Sequence, residues 1–471
     1  MTQQIQQKLN DSKAMRWTAL VLVASMMFFG YMFVDVMSPL QSLIEQEKGW
    51  NPESFGTYAA SEYILNVFGF LIIAGFILDK CGIRFTGELS ASMMFVGACI
   101  KYYAVSDSFE GTALAQWLDS WWVELPSSAK LASLGFMIFG CGCEMAGTTV
   151  SKAIAKWFKG KEMALAMGLE MAIARVGVFA IFSISPILAE KLGSVSGSVG
   201  FCTTLLFIGL IAFTVFTFMD KKLDHQMGIT NGAGDGEEEF KASDLTKILT
   251  SKIFWVVALL CVLYYSAIFP FQRYGANMLQ CNLDGISPSD ASNIFRWFPI
   301  GAAAITPFLG SFLDHKGKGA TMLMLGSLLL IGCHLVFAFV LPATHSHIIA
   351  YSTIVLLGIS FALVPAALWP SVPKIIDEKV LGSAYCLIFW VQNFGLCFVP
   401  LLIGSVLASS NADNPAVIAA KEAGAEFIPY DYTLPLIIFA CFGVAALLLA
   451  MYLKLIDKKN GYGLEKPNIV Q

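Results

Sequence analysis

Charge is scarce in this chain. Of its 471 residues only 14% are Asp, Glu, Lys or Arg, His occurs five times, and the formal net charge is -4, with a pI near 5.8. No basic field is present of the kind that would hold nucleic acid. No His cluster, nucleophile elbow or metal-ligand spacing occurs, which argues against an enzyme and calls for no cofactor or metal. The 11 Cys are scattered, most of them in apolar runs. Cys141 and Cys143 stand two apart in a helical run, so they face different directions and lack companions at zinc spacing. His334, alone in an apolar span, reads as a packed residue, and residues 235–239 fail the ligand spacing of a calcium loop. The polar start, MTQQIQQKLNDSKAMRW, runs into an apolar segment without a small-residue cleavage site, so that segment reads as a retained span.

What is abundant is apolar length. With 56% hydrophobic residues and a mean hydropathy of +0.67, the chain reads as an all-α, multi-pass membrane protein. Apolar segments lie at about 17–43, 56–78, 85–105, 131–155, 162–190, 197–219, 253–279, 289–313, 319–341, 347–373, 380–408 and 431–456. That pattern predicts twelve transmembrane helices in two six-helix bundles, residues 1–220 and 251–471, joined by a linker at 221–250. Within the linker the Gly-rich and acidic run 232–239 is expected to be flexible, and 243–249 to form a short surface helix. Lys8, Lys13, Arg16, Lys80, Arg84, Lys156, Lys159, Lys161, Lys221, Lys222, Lys316, Lys318, Lys374, Lys379, Lys454, Lys458 and Lys459 all fall on one side of the twelve-span arrangement. The positive-inside rule then makes both termini cytoplasmic and turns the acidic segments 107–130 and 409–430 outward.

The halves share a signature. Gly75, Asp79, Lys80 and Gly82 follow the second segment, with Arg84 close behind, and Gly310, Asp314, His315 and Gly317 follow the eighth. Both read G-x-x-x-D-basic-x-G, as expected of two parallel repeats. At the second-to-third turn the pattern resembles the cytoplasmic-loop motif of the major facilitator superfamily. Asp79, Arg84 and Asp314 are then candidate gating residues, each acid near a helix N-terminus and the basic residues paired with acids of the adjoining bundle. The plainer alternative is a polar turn capping two helices.

The stretch from Phe139 to Gly177 carries the leading site candidates. Two apolar runs flank the turn Lys159, Gly160 and Lys161, and each supplies one lead charge, Glu144 and Arg175. At about 1.5 Å per residue both charges sit roughly 20 Å from the turn, near the middle of a slab about 30 Å thick. Facing lipid there is costly, so they should face a protein interior or a wet cavity. An unpaired carboxylate and guanidinium complement the two ends of a zwitterion. The structural alternative is an ion pair locking the fourth span to the fifth. Asp35 in the first span is deep enough to line the cavity, pair with a cation or carry a proton. Glu62, Arg273 and Arg296 read as shallower, with the arginines able to snorkel. In the second half Tyr264, Tyr265, Trp369, Tyr385, Gln392 and Asn393 are the polar and aromatic candidates, and Pro270 and Pro370 are expected to kink their helices.

Several of these pieces occur together in one branch of that superfamily. Trp157-Phe-Lys-Gly-Lys-Glu162, Ala174-Arg175-Val-Gly177, Tyr264-Tyr265 with Phe269-Pro270-Phe271, Ala367-Leu-Trp369-Pro370, and Leu381-Gly-Ser-Ala-Tyr385 continuing to Gln392-Asn393-x-Gly395 make the chain resemble the lysosomal dipeptide transporter branch. The resemblance covers most of the chain. It implies a dipeptide whose charged ends are held by Glu144 and Arg175, with Tyr265, Trp369, Gln392 and Asn393 as cavity residues. Phe136 departs from the Arg that many superfamily members carry in the fourth span. With no acidic dileucine signal visible and no N-x-S/T acceptor in the outward loops, a plasma (inner) membrane is expected, with a lysosomal membrane as the alternative. The expected partners are a small zwitterionic substrate and the bilayer. Alternatives are a carrier of another organic anion or metabolite, and a non-transporting receptor. Asp35, Glu62 and Glu144 can each titrate, which leaves uniport and proton coupling both open.

Overall fold

The computed structural model describes residues 8–227, 248–376 and 381–467, apart from the side chains at 164, 382 and 383. The expected linker features at 232–239 and most of 243–249, together with Lys379, lie outside the described residues. Within them the chain is helical and contains no strand. The first half comprises α1 (Lys13–Asp35), α2 (Gln41–Lys48), α3 (Pro52–Val67), α4 (Phe70–Val105), α5 (Ala113–Asp119), α6 (Ser127–Phe158), α7 (Met163–Leu192) and α8 (Val195–Met227). The second comprises α9 (Lys252–Asn282), α10 (Pro288–Phe295), α11 (Trp297–Lys316), α12 (Gly319–Leu335), α13 (Leu341–Thr344), α14 (His347–Ile375), α15 (Leu381–Ser410), α16 (Pro415–Glu422) and α17 (Thr433–Asn460).

Nine helices among the described residues are long and apolar enough to cross a bilayer, and ten if the bent pair α3 and α4 is one span. That pair bends by 54° at Gly69, whose φ of 97° only glycine adopts without strain. The expected segments 56–78 and 85–105 both fall on α3 and α4, because α4 is itself divided by a kink at Gly82, where φ is 73° and ψ 174°. The expected segment 289–313 is shared between α10 and α11. Helix starts follow local chemistry: Asn51 accepts from the Ser54 amide at 2.8 Å ahead of Pro52, and Ser287 with Asp290 closes a capping box ahead of Pro288.

Two features of the packing position the site. The first is the seam between the halves, where α3 lies against α15. A Cβ on Gly56 would stand 2.6 Å from the Pro400 carbonyl oxygen, and one on Gly404 would stand 2.5 Å from that of Pro52. The backbones touch because neither residue carries a side chain. Tyr274 of α9 donates to the Pro400 carbonyl at 3.1 Å, Ser42 to Gln280 at 2.9 Å and Trp390 to the Val67 carbonyl at 2.9 Å. The second is α6, which approaches α3 so closely that a Cβ on Gly140 would strike the Glu62 carbonyl oxygen at 2.0 Å.

At the opposite end, Arg16 pairs with Glu162 at 2.9 Å and Lys161 with Asp11 at 2.9 Å, fastening the start of α1 to the α6–α7 turn. In the second half the segment after α17 folds back. The Lys318 and Gly319 amides donate to the Glu465 and Leu464 carbonyls at 3.1 and 2.9 Å, and Lys374 donates to the carbonyls of Gly463 and Lys466.

Candidate functional site

The turn at Gly160, with φ 72°, reverses the chain and lays α7 beside α6, while α1 packs against both. A Cβ on Gly177 would meet the Phe28 carbonyl oxygen at 2.8 Å, so α7 and α1 are in near backbone contact where Arg175 projects. Glu144 is half-buried. No ion pair or side-chain hydrogen bond holds its carboxylate among the described residues. Arg175 is also half-buried and lays its guanidinium over the Phe361 ring of α14, 4.4 Å from the centroid, which bridges the two halves. A contact of that type is worth about 0.5–2 kcal/mol and uses none of the guanidinium N–H groups as hydrogen-bond donors to an acceptor atom. Glu144 and Arg175 are therefore not paired with each other. Tyr31 of α1 is in electrostatic reach of both, and of Glu170.

On the facing side the second-half candidates gather into an aromatic wall. The Trp369 indole donates to the Tyr265 hydroxyl at 3.3 Å, and the Tyr385 hydroxyl donates to the Trp369 carbonyl at 3.1 Å. Ring centroids are 5.0 Å apart for Trp369 and Phe389 and 5.5 Å for Tyr265 and Phe269. Gln392 accepts from the Cys261 thiol at 3.5 Å. Asn393 spends its amide N–H on the Phe389 carbonyl of its own helix at 2.9 Å, while its side-chain oxygen is buried without a partner. Tyr264 instead turns away and bonds the carbonyl of Ser360 at 2.5 Å.

Asp35 belongs to a different group. It is 1% exposed and accepts from Gln272 at 2.6 Å, from Ser38 at 3.1 Å and from Arg273 at 3.2 Å. The second arm of Arg273 reaches Glu62 at 2.5 Å, and the guanidinium also donates to the Val34 carbonyl. Arg273 and Glu62 are 6% and 4% exposed. The expectation that Arg273 can snorkel to the interface is corrected: the closed seam of α3, α9 and α15 walls it and Glu62 off, and the guanidinium fork joins two carboxylates across the halves. Arg296 donates to Ser183 at 3.2 Å and lies over the Phe179 and Trp297 rings.

Asp79 pairs with Lys152 of α6 at 2.9 Å. Arg84 departs from the expected pairing with the adjoining bundle. It binds Asp224 at 2.7 Å and Asp220 at 3.6 Å on α8 of its own half, where Lys156 binds the same two acids. The cause is geometric: the positive-φ kink at Gly82 turns the chain back along α8 before Arg84 projects. Asp314 lies in the last turn of α11, one turn before Gly317, next to the Lys318–Gly319 loop covered by the returning chain end.

Sequence reasoning passes over Glu170, Lys101, Tyr31 and Phe361. Glu170 precedes Arg175 by five residues in the same apolar run and is legible as a charge at depth. Lys101, in GACIKYYAV, is legible in the same way. Nothing in the pattern around Tyr31 or Phe361 distinguishes them from packing aromatics.

The family model of the Major Facilitator Superfamily matches residues 20–400. The lysosomal dipeptide transporter MFSD1 of Danio rerio is 29% identical over 408 residues, covering 83% of this chain and 80% of that protein. The Homo sapiens protein of the same name is 26% identical over 414 residues, with 84% and 81% covered. Among solved structures, the nucleoside transporter NupG superposes with a TM-score of 0.66 at 13% identity, covering 93% of this chain and 99% of that one. A bacterial homologue of the human lysosomal transporter Spinster, inward-facing and occupied, gives 0.63 at 14% identity, with 95% and 98% covered. With apolar membrane-crossing helices, a helical bundle shared with these structures and a family match over most of its length, the chain belongs to the Major Facilitator Superfamily and is a membrane transporter.

Proposed function

We propose that the chain carries short peptides, dipeptides above all, by alternating access, with Glu144 holding the amino end of the solute and Arg175 its carboxylate. The observation that carries this reading is that both charges are half-buried, neither is paired with the other, and Tyr31 lies in reach of both. A carboxylate left unpaired at that depth gains most from an ammonium, and a guanidinium held by one ring still has donors for a carboxylate. The names of the MFSD1 relatives point the same way. Tyr265, Trp369, Gln392 and Asn393 form the opposite wall, where apolar side chains of the solute rest on the rings and its peptide group meets the amides.

The moving parts are two six-span bundles, residues 1–220 and 251–471, with 221–250 as the linker, although α8 runs seven residues past the first boundary, to Met227. Both termini face the cytoplasm and the α3–α15 seam faces outward, in a plasma (inner) membrane or, by the relatives' names, a lysosomal one. Asp79, Arg84 and Asp314 serve as gating hardware at the cytoplasmic end. Proteoliposomes containing the purified chain test the reading. Glu144→Gln and Arg175→Ala are each expected to abolish dipeptide uptake while leaving yield and helical content unchanged. Normal uptake by both would overturn the assignment, and a thermal shift with organic anions but not with zwitterions would move the cargo to the anion class.

A further inference from the structure

Lys101 projects from the second run of α4 into the interior of the first half, and it is 0% exposed. Among the described residues its ammonium has no hydrogen-bond partner. It sits instead against rings of Phe33, Phe136 and Tyr58, 4.1, 4.6 and 5.0 Å from their centroids. A buried ammonium with no acceptor is costly, and rings only partly replace its lost hydration. Packing alone would be served better by Met or Leu.

The reason for a cation here lies beside it. Arg273, Glu62 and Asp35 are all in electrostatic reach of Lys101, and the guanidinium of Arg273 lies over the same Phe136 ring, 5.7 Å from its centroid. In the closed seam Arg273 supplies hydrogen bonds to both carboxylates, which leaves Lys101 in its aromatic cage. Arg273 stands on α9 of the second half, however, whereas Asp35, Glu62 and Lys101 all stand on the first. When the seam parts, Arg273 leaves with its half.

We propose that Lys101 is the reserve counter-cation of the first half, a positioning residue that moves from its cage to Asp35 and Glu62 when Arg273 withdraws, so that the seam can open. This rests on the alternating-access reading above. Each of the four groups is taken in its ionised form. Closed, the four groups sum to zero; open, the first half keeps two carboxylates and one ammonium, a net of -1. Lys101→Met makes the open half -2 and shifts the balance toward the closed seam. Glu62→Gln alone makes the closed cluster +1 and the open half neutral, which shifts it toward open. The double variant Lys101→Met/Glu62→Gln returns both states to the charges of the unmodified chain.

The full chain in nanodiscs, carrying spin-labelled noncanonical amino acids at exposed Ser108 and Ala412, on the connections that follow α4 and α15 in opposite halves, reads the opening as a distance. Lys101→Met is expected to reduce the long-distance population tenfold or more, Glu62→Gln to enlarge it, and the double variant to restore the unmodified distribution. Dipeptide uptake should follow the same order for Lys101→Met and the double variant. A distribution indifferent to Lys101→Met, or a double variant that fails to restore it, would overturn the proposal. If Lys101→Met alone does not fold, the pair Glu62→Gln and Lys101→Met/Glu62→Gln decides: an unchanged long-distance population between them refutes the exchange. A purely structural Lys101 lowers thermal stability without that coupling. The distance needs no transported solute, so its outcome is independent of whether dipeptides prove to be the cargo.

Discussion

Removing Arg273 should open the seam. Arg273→Ala deletes the guanidinium that holds Asp35 at 3.2 Å and Glu62 at 2.5 Å and leaves the two carboxylates, 1% and 4% exposed, with the caged Lys101 in place of a hydrogen-bonded partner. Breaking a buried pair by deleting one partner costs about 3–5 kcal/mol. That cost falls on the closed arrangement, because parting the seam lets water reach both carboxylates. At about 1.4 kcal/mol per tenfold, the ratio of open to closed then shifts by roughly two orders of magnitude or more. Hydrogen–deuterium exchange of the chain in nanodiscs checks this. Amides of α3 and of the α15 stretch near Pro400 and Gly404 should exchange faster in the variant, while those of the last turns of α17, residues 450–460 at the opposite end beside Thr321 and Gly463, should not. Dipeptide uptake should fall, because a carrier that cannot reclose one end completes no cycle. Unchanged exchange along α3 and α15 would refute the view that this ion cluster holds the halves together. Faster exchange throughout the chain would mean that Arg273 supports the fold as a whole.

A methyl or larger group at the glycine seam should act in the same direction by sterics. Gly404→Val places a side chain where a Cβ already stands 2.5 Å from the Pro52 carbonyl oxygen; overpacking of about 1–3 kcal/mol against unyielding backbone should enlarge the open population, and an unchanged label distance across the seam would count against it. Acid should loosen the fastening of the chain start. The Asp11 carboxyl is held below its ordinary value by a hydrogen bond from Lys161 and one from the Lys8 amide, and Glu162 by its own backbone amide and then by Arg16. Depressed folded-state values contribute stability that is present above the unfolded-state carboxylate range near 4 and is lost as pH falls through the folded-state values. Protection from exchange at residues 8–16, with the intrinsic pH dependence of amide exchange divided out, should therefore be flat from pH 7 to about 5 and fall below about 4, and a loss centred near neutral pH would contradict the assignment.

Much of this architecture is legible in the sequence because a bilayer imposes a simple code: long apolar runs, sparse charges, and cations on one side. The runs around Glu144 and Arg175 can be read at nearly the observed boundaries, α6 ending at Phe158 and α7 beginning at Met163, since a Gly between lysines can hardly continue an apolar helix. What the pattern does not disclose is which buried charges meet. Asp35, Glu62 and Arg273 lie far apart along the chain; taken alone, Asp35 looks like a cavity group and Glu62 and Arg273 like groups near a span end. Only the approach of α3 to α15, which depends on Gly56 and Gly404, puts a seam over them and turns a snorkelling arginine into a buried fork. Arg84 shows the same limit from the other side, because its partners on α8 are chosen by one positive-φ residue, Gly82, whose direction composition does not reveal.

The contrast between the two charge groups bears on how such a carrier works. Arg273 is saturated: its fork is spent on two carboxylates and a carbonyl, and its task is to join the halves. Arg175 and Glu144 are left unsatisfied although they stand on neighbouring helices, with Tyr31 within reach of both. Had Arg175 been free to swing onto Glu144, the pair would have neutralised itself and a solute would have had to break it. The Phe361 ring across the halves holds the guanidinium toward the second half, 4.4 Å from the ring centroid. Phe361→Leu keeps the apolar volume but removes the ring face, so Arg175 should collapse onto the Glu144 side of the chamber. Loss of a contact of about 0.5–2 kcal/mol should raise the KM for dipeptide several-fold with smaller loss of maximal rate, measured as initial uptake into proteoliposomes. A KM unchanged by Phe361→Leu would show that something other than the ring keeps the two charges apart.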